Sequence, residues 1–132
     1  MQIHQREEHG VLVISLSGKI LGDTETCQLN DVIKTALNAQ KNQFVIDLKY
    51  VEWMGSVGFG CITGGLMLAR QNGGDLRLTR INRKVGRLLT ITKLDRVFQT
   101  YGTVNEGIKS FTTNPKINPA EKKKQSLTEK TA

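Results

Sequence analysis

Phe44-Val45-Ile46-Asp47-Leu48 is an apolar run, and after Lys49 to Glu52 the chain reads Trp53-Met54-Gly55-Ser56-Val57-Gly58-Phe59-Gly60. The first segment reads as a buried strand. Phe59, Ile62, Leu66 and Ala69 then recur at helical spacing, so the glycine-punctuated stretch is a strand-to-helix turn that places Ser56 near a helix N-terminus. A strand handing over to a helix in this way is the unit from which a partly parallel sheet is built.

The rest of the chain repeats the theme. Upstream, Val11 to Leu16 is a second aliphatic run, entered through a turn at Glu8-His9-Gly10, and Gln2 to Arg6 is expected to pair with it as an edge strand. Leu29, Val32, Ile33, Ala36 and Leu37 form the stripe of an amphipathic helix, with Asp23 or Thr24 as a suitable N-cap. Downstream, the second helix should stop at Asn72-Gly73-Gly74, with Arg70 suiting its last turn. Asp75 to Ile81 alternates polar and apolar, which predicts a strand with one wet face. Asn82 is placed to cap a third helix carrying Val85, Leu88, Leu89 and Thr92; Val97 to Tyr101 suits a last short strand; Val104, Ile108 and Phe111 suggest a final helix. Strands alternating with helices make an α/β domain.

The 132 residues suffice for one core. Domain boundaries of 1–111 for the globular part and 112–132 for a disordered basic tail are expected, because the apolar pattern ends at Phe111. The net charge of +7 is unevenly placed: five lysines against two glutamates leave the tail at +3 and the remainder at +4. Aromatic residues are scarce, so no basic groove interleaved with stacking platforms is visible and direct nucleic-acid binding is not expected. No stretch approaches the roughly 18 apolar residues of a membrane span, and the N-terminus has no apolar run behind a positive segment, so a soluble cytoplasmic protein is expected. Cys27 and Cys61 fit no metal or redox spacing and are expected to be buried thiols; His4 and His9 have no ligand cluster around them.

Three chemistries can be weighed at Ser56. Its hydroxyl could cap the helix by satisfying a backbone N–H. It could accept a phosphate, whose charge the N–H groups and dipole of a helix N-terminus accommodate. It could be a nucleophile, but Met54 stands where a nucleophile elbow needs glycine, and no histidine follows it. A phosphate-binding loop would need a lysine after the glycines, and none comes before Lys84. No catalytic residue, metal or cofactor is therefore expected.

These residues, with Asn72-Gly73-Gly74-Asp75-Leu76-Arg77-Leu78, Val85-Gly86-Arg87-Leu88-Leu89 and Leu94-Asp95-Arg96-Val97-Phe98, resemble the STAS domain family, in particular its single-domain anti-sigma factor antagonists. The resemblance covers about residues 1–111 and implies a mixed sheet of about five strands with about four helices. In that family the turn usually reads Asp-Ser-Ser/Thr-Gly-Leu-Gly, and the serine matching Ser56 is phosphorylated by an anti-sigma factor serine kinase. The resemblance thus implies Ser56 as the phosphorylation site, a partner-binding surface at Gly55, Ser56, Val57, Gly58, Phe59 and Gly60, and a serine phosphatase that resets the switch. Here Gly55 stands in place of the usual acid and Val57 in place of the second hydroxyl. The competing function is a non-switching adaptor in a signalling or lipid-transport complex, with Ser56 acting only as a helix cap; a third assigns the basic tail to nucleic acid or anionic lipid.

Overall fold

The computed structural model describes residues 2–20 and 24–112, with the side chains of 24–27 and 112 excepted. Its elements follow in the order β1 (Gln2–Glu8), β2 (Val11–Ile20), α1 (Thr24–Asn38), β3 (Gln43–Met54), α2 (Ser56–Gln71), β4 (Asp75–Thr79), α3 (Arg83–Ile91), a 3-10 turn (Leu94–Arg96), β5 (Thr100–Tyr101) and α4 (Val104–Thr112). One five-stranded sheet runs β1-β2-β3-β4-β5. The first pair is antiparallel and the other three are parallel, so the sheet is mixed. Asp23 and residues 113–132 lie outside the described residues.

The β1–β2 hairpin closes through His9 and Gly10, both at positive φ (53° and 81°). That is the backbone twist a two-residue hairpin loop requires, and a glycine at its second position supplies it without steric cost. Beyond β2, each parallel pair is bridged by helix. Buried residues of α1 (Leu29, Ile33, Ala36), α2 (Phe59, Ile62, Leu66) and α3 (Val85, Leu89) join one face of β2, β3 and β4 in the main core. On the opposite face α4 packs Ile108, Val104 and Phe111 against Val11, Val13 and Val45. Covering both faces explains why β2 and β3 read as continuous apolar runs rather than alternating ones.

Three expectations are corrected. The third strand does not stop at Leu48 but continues to Met54, with register shifts against β2 between Ser15 and Ser17 and between Gly18 and Lys19. Those bulges let Leu48, Val51 and Met54, three residues apart, all turn into the main core. The fourth strand has no wet face: Asp75, Arg77 and Thr79 are as buried as Leu76 and Leu78, because α4 covers that side. The fifth strand is only Thr100–Tyr101, since Phe98 turns into the main core and its N–H donates to the Leu94 carbonyl at 3.2 Å. The remaining helix ends match their signals: Gly74 N–H closes onto the Ala69 carbonyl at 2.8 Å, and Asn82 accepts from the Val85 N–H at 2.9 Å.

Candidate functional site

Parallel neighbours β3 and β4 each pass at their C-terminal ends into a helix on the main-core face, so the starts of α2 and α3 share one edge of the sheet. Open α/β sheets present their sites at such an edge. The link is held by side chains: Asn82, the cap of α3, donates its amide to the Val51 carbonyl on β3 at 2.6 Å.

Ser56 is the first helical residue of α2, and the N-cap is Gly55, in an extended conformation and without a side-chain capping bond. The helix-cap reading of Ser56 is thereby corrected. A cap must lie one residue earlier, where φ and ψ are still extended. The Ser56 side chain is exposed and makes no hydrogen bond among the described residues. No acidic residue sits in the first turn of α2 to oppose a negative charge there.

The six residues of the turn divide by helical phase. Ser56, Val57 (49% exposed) and Gly60 face outward, Gly55 is half-buried, and Gly58 and Phe59 are buried. Gly58 and Phe59 therefore have a packing role in the fold, whereas Ser56, Val57 and Gly60 are the exposed residues of the stretch. A Cβ at Gly58 would lie 2.7 Å from the Met54 side chain and 2.8 Å from that of Ile20, so glycine lets the helix sit close on the sheet. Phe59 belongs to the main core.

Gly55 has a different cause. Its N–H donates to the Ile20 carbonyl at 3.1 Å, tying the turn to the end of β2. A Cβ at this position would fall 3.1 and 3.2 Å from two atoms of the Trp53 ring. The indole lies over the place a side chain at 55 would start, and Trp53 as a whole is 43% exposed. Tyr50, 58% exposed, stands on the same C-terminal stretch of β3.

Tyr50 is placed by a polar cluster. Asp47, 2% exposed, receives Arg80 Nε at 2.9 Å and a second guanidinium bond from Arg80 Nη2, together with the Ser15 hydroxyl at 3.5 Å. Arg80 in turn lies 5.8 Å from the Tyr50 ring centroid, within the range of a cation–π contact. The hydrogen bond to Asp47 raises the Arg80 pKa above its ordinary value. The cluster clamps the middle of β3 to the C-terminal end of β4.

Along α2, Val57, Gly60, Gly64 and Met67 fall at i, i+3, i+7 and i+10, one outward line. Met67 is 56% exposed, and a Cβ at Gly60 or Gly64 meets nothing within 4 Å. This extension was hidden in the sequence because glycines in a packed helix and on its bare face look alike. Packing requires glycine at 58, and at 65, where a Cβ would lie 2.6 Å from Ile33; it does not at 60 and 64. Replacing Gly60 and Gly64 by alanine is expected to stabilise the fold by about 0.5–1 kcal/mol each through helix propensity. A rise in thermal midpoint checks this; a fall would show a hidden packing constraint. Thr63 spends its hydroxyl on the Phe59 carbonyl at 2.8 Å, so it offers less to a partner than Tyr50 does.

Elsewhere the described residues gather no group of three or more His, Cys, Asp or Glu, and contain no helix long and apolar enough to cross a membrane. Cys61 is a buried thiol facing the core.

Comparison with known proteins agrees with this arrangement. A family model described as the STAS domain matches residues 2–107. An anti-sigma F factor antagonist from Paenibacillus polymyxa is 31% identical over 104 residues, spanning 76% of this chain and 86% of the relative. The crystal structure of an anti-sigma factor antagonist from Mycobacterium paratuberculosis superposes with a TM-score of 0.70 at 26% identity, covering 83% of this chain and 92% of that one. The Bacillus cell fate determinant SpoIIAA in its phosphorylated form gives a TM-score of 0.65 at 17% identity, covering 83% of this chain and 98% of that one, a likeness of fold.

Proposed function

The chain belongs to the STAS domain family, and from that membership we propose that it is an anti-sigma factor antagonist, docking a serine-kinase-type anti-sigma factor at the Ser56 turn and releasing it when Ser56 is phosphorylated. The observation that carries this reading is the state of Ser56: exposed, first in its helix, and relieved of any capping duty by Gly55. A hydroxyl with no hydrogen bond among the described residues, beside Trp53, Val57 and Gly60 on one edge, is available to a kinase. The antagonist role itself is supported by the relatives' names; the modification of Ser56 and the kinase are our reading of the site.

Phosphate at Ser56 would meet the free N–H groups of the first turn of α2, which tolerate it without unfolding the domain. Its effect falls on the partner. About two negative charges in the middle of a desolvated contact add repulsion and a desolvation cost, and each 1.4 kcal/mol so lost weakens binding about tenfold. The protein in this scheme is a substrate and a ligand, not an enzyme.

The test is a pull-down with the full chain from its native cell extract, with and without ATP, followed by mass spectrometry. An ATPase partner held without ATP and released with it, together with one phosphate on Ser56, is expected. Ser56→Asp should weaken the isolated complex by about tenfold or more. If Ser56→Ala binds and releases as wild type does, the switch is wrong, and a non-switching adaptor takes its place.

A further inference from the structure

Arg83 to Val97 carries Arg83, Lys84, Arg87, Lys93 and Arg96 against a single acid, Asp95. All five cationic side chains are exposed, and among the described residues none makes an ion pair, a hydrogen bond or a ring contact. The arginines elsewhere differ. Every arginine outside this segment meets a carboxylate: Arg6 with Glu8, Arg70 and Arg77 with Asp75, Arg80 with Asp47.

The cations are interleaved with apolar surface. Lys84, Arg87 and Ile91 fall at i, i+3 and i+7 on the side of α3 away from the core, whose own side is Val85 and Leu89. Ile91 is 67% exposed and Val97, just past the 3-10 turn, is 38% exposed. A solvated charge face has no use for two bare β-branched residues among its lysines and arginines, and leaving such surface in water is unfavourable.

We propose that the outward face of α3 and the following turn is a docking surface for an acidic protein surface that also offers an apolar socket, and that it is the electrostatic half of the contact centred on Ser56. The inference rests on the docking reading given above. Continuity comes from the fold: α3, like α2, starts at the C-terminal edge of the parallel strands, with its cap Asn82 bonded to Val51 on β3. Five cations with no ion pair among the described residues set the sign of the partner, since complementary potential steers encounter and fixes register. A phosphate at Ser56 would then bring negative charge to the edge that meets an acidic surface, which accounts for release.

Nucleic acid suits the face less well, because Ile91 and Val97 gain nothing on a phosphate backbone and residues 83–97 contain no aromatic ring on which a base could stack. A bilayer suits it less well too. α3 has nine residues and its apolar side is already in the core, leaving too little to insert beneath the headgroups.

The test uses the full chain and the K84Q/R87Q/K93Q variant, which changes only exposed side chains. With the ATPase partner recovered above, wild-type binding should weaken markedly between about 50 and about 300 mM salt, as screening shortens the reach of the charges. The variant should bind about tenfold or more weakly at the lower salt and lose most of that salt dependence, while ATP still phosphorylates Ser56. A variant with wild-type affinity and slope overturns the proposal and leaves the Ser56 switch standing. Should no ATPase partner be captured, the docking reading fails separately, and the face is tested with a synthetic amphipathic peptide of alternating glutamate and leucine. Amide shifts centred on 83–97, with movement of the Ile91 and Val97 methyls, support it. Equal binding of plain polyglutamate with those methyls unmoved overturns it, as does a larger loss, in the variant, of binding to phosphatidylserine vesicles or duplex DNA.

Discussion

Asp75→Ala is expected to destabilise the protein by about 3–5 kcal/mol, the usual loss when one partner of a buried ion pair is removed. Asp75 and Arg77 are 3% and 4% exposed on the β4 face beneath α4. Asp75 accepts from Arg77 Nε at 3.1 Å with one oxygen and from Arg70 Nε at 3.0 Å with the other. Arg77 also donates to the Ser110 hydroxyl at 2.5 Å, and its guanidinium sits 4.0 Å from the Phe111 ring centroid. Without Asp75 the buried cation keeps only a hydroxyl and a ring face, neither of which replaces a carboxylate. Against a total stability of about 5–15 kcal/mol this is a large fraction.

Equilibrium urea unfolding measures the loss, and a second variant separates charge from packing. Asp75→Ala combined with Arg77→Met removes the stranded cation and should recover a good part of the stability, since buried pairs replaced by apolar groups are often neutral. A loss below about 1 kcal/mol for the single variant would mean that water reaches Arg77 and that the pair is not sealed by α4.

Gly74→Ala should cost about 3 kcal/mol or more, combining overpacking with a broken backbone bond. A Cβ built at Gly74 lies 1.7 Å from the Asn42 carbonyl oxygen, a contact no side-chain rotation relieves because both sides are backbone. The same carbonyl accepts the Asp75 N–H at 3.1 Å, and the Asn42 amide donates to the Asn72 carbonyl at 2.9 Å. The entry to β3 and the entry to β4 are thus fastened together, and the methyl must push them apart, drawing Asp75 away from Arg77. Thermal unfolding beside the Gly60→Ala and Gly64→Ala variants makes the comparison internal: the same substitution, opposite signs. Equal midpoints would refute the close approach at Asn42.

Much of this was legible before any coordinates. Glu8-His9-Gly10 marked its hairpin because few residues suit positive φ, and Asn82 marked its helix start because an Asx side chain reaches the third N–H of the helix. The turn at Ser56 stood out because glycines and one hydroxyl interrupt a strand–helix junction. Signals of this kind act over four or five residues, and the family resemblance drew on the same local features.

What failed to read correctly depended on distant chain. Asp75, Arg77 and Thr79 looked like a wet face because alternation reports polarity, whereas their burial depends on α4, roughly thirty residues later in the chain. The packing role of Gly58 and Phe59 did not show either, because adjacency in sequence is not adjacency on a helix face. Met67 and the α3 cations showed no function until it was clear which side of each helix the core consumes.

The sequence alone determined the order and type of the elements, the mixed α/β sheet and the location of the Ser56 turn, since hydrophobic period and turn chemistry are local properties of the chain. Only the tertiary structure decided that Gly55 carries the cap beneath Trp53, that Ser56 is exposed with no hydrogen bond among the described residues, and that the α3 cations face outward with no ion pair among those residues. Those outcomes depend on which surfaces meet when strands far apart in sequence pack side by side, and no window along the chain contains that information.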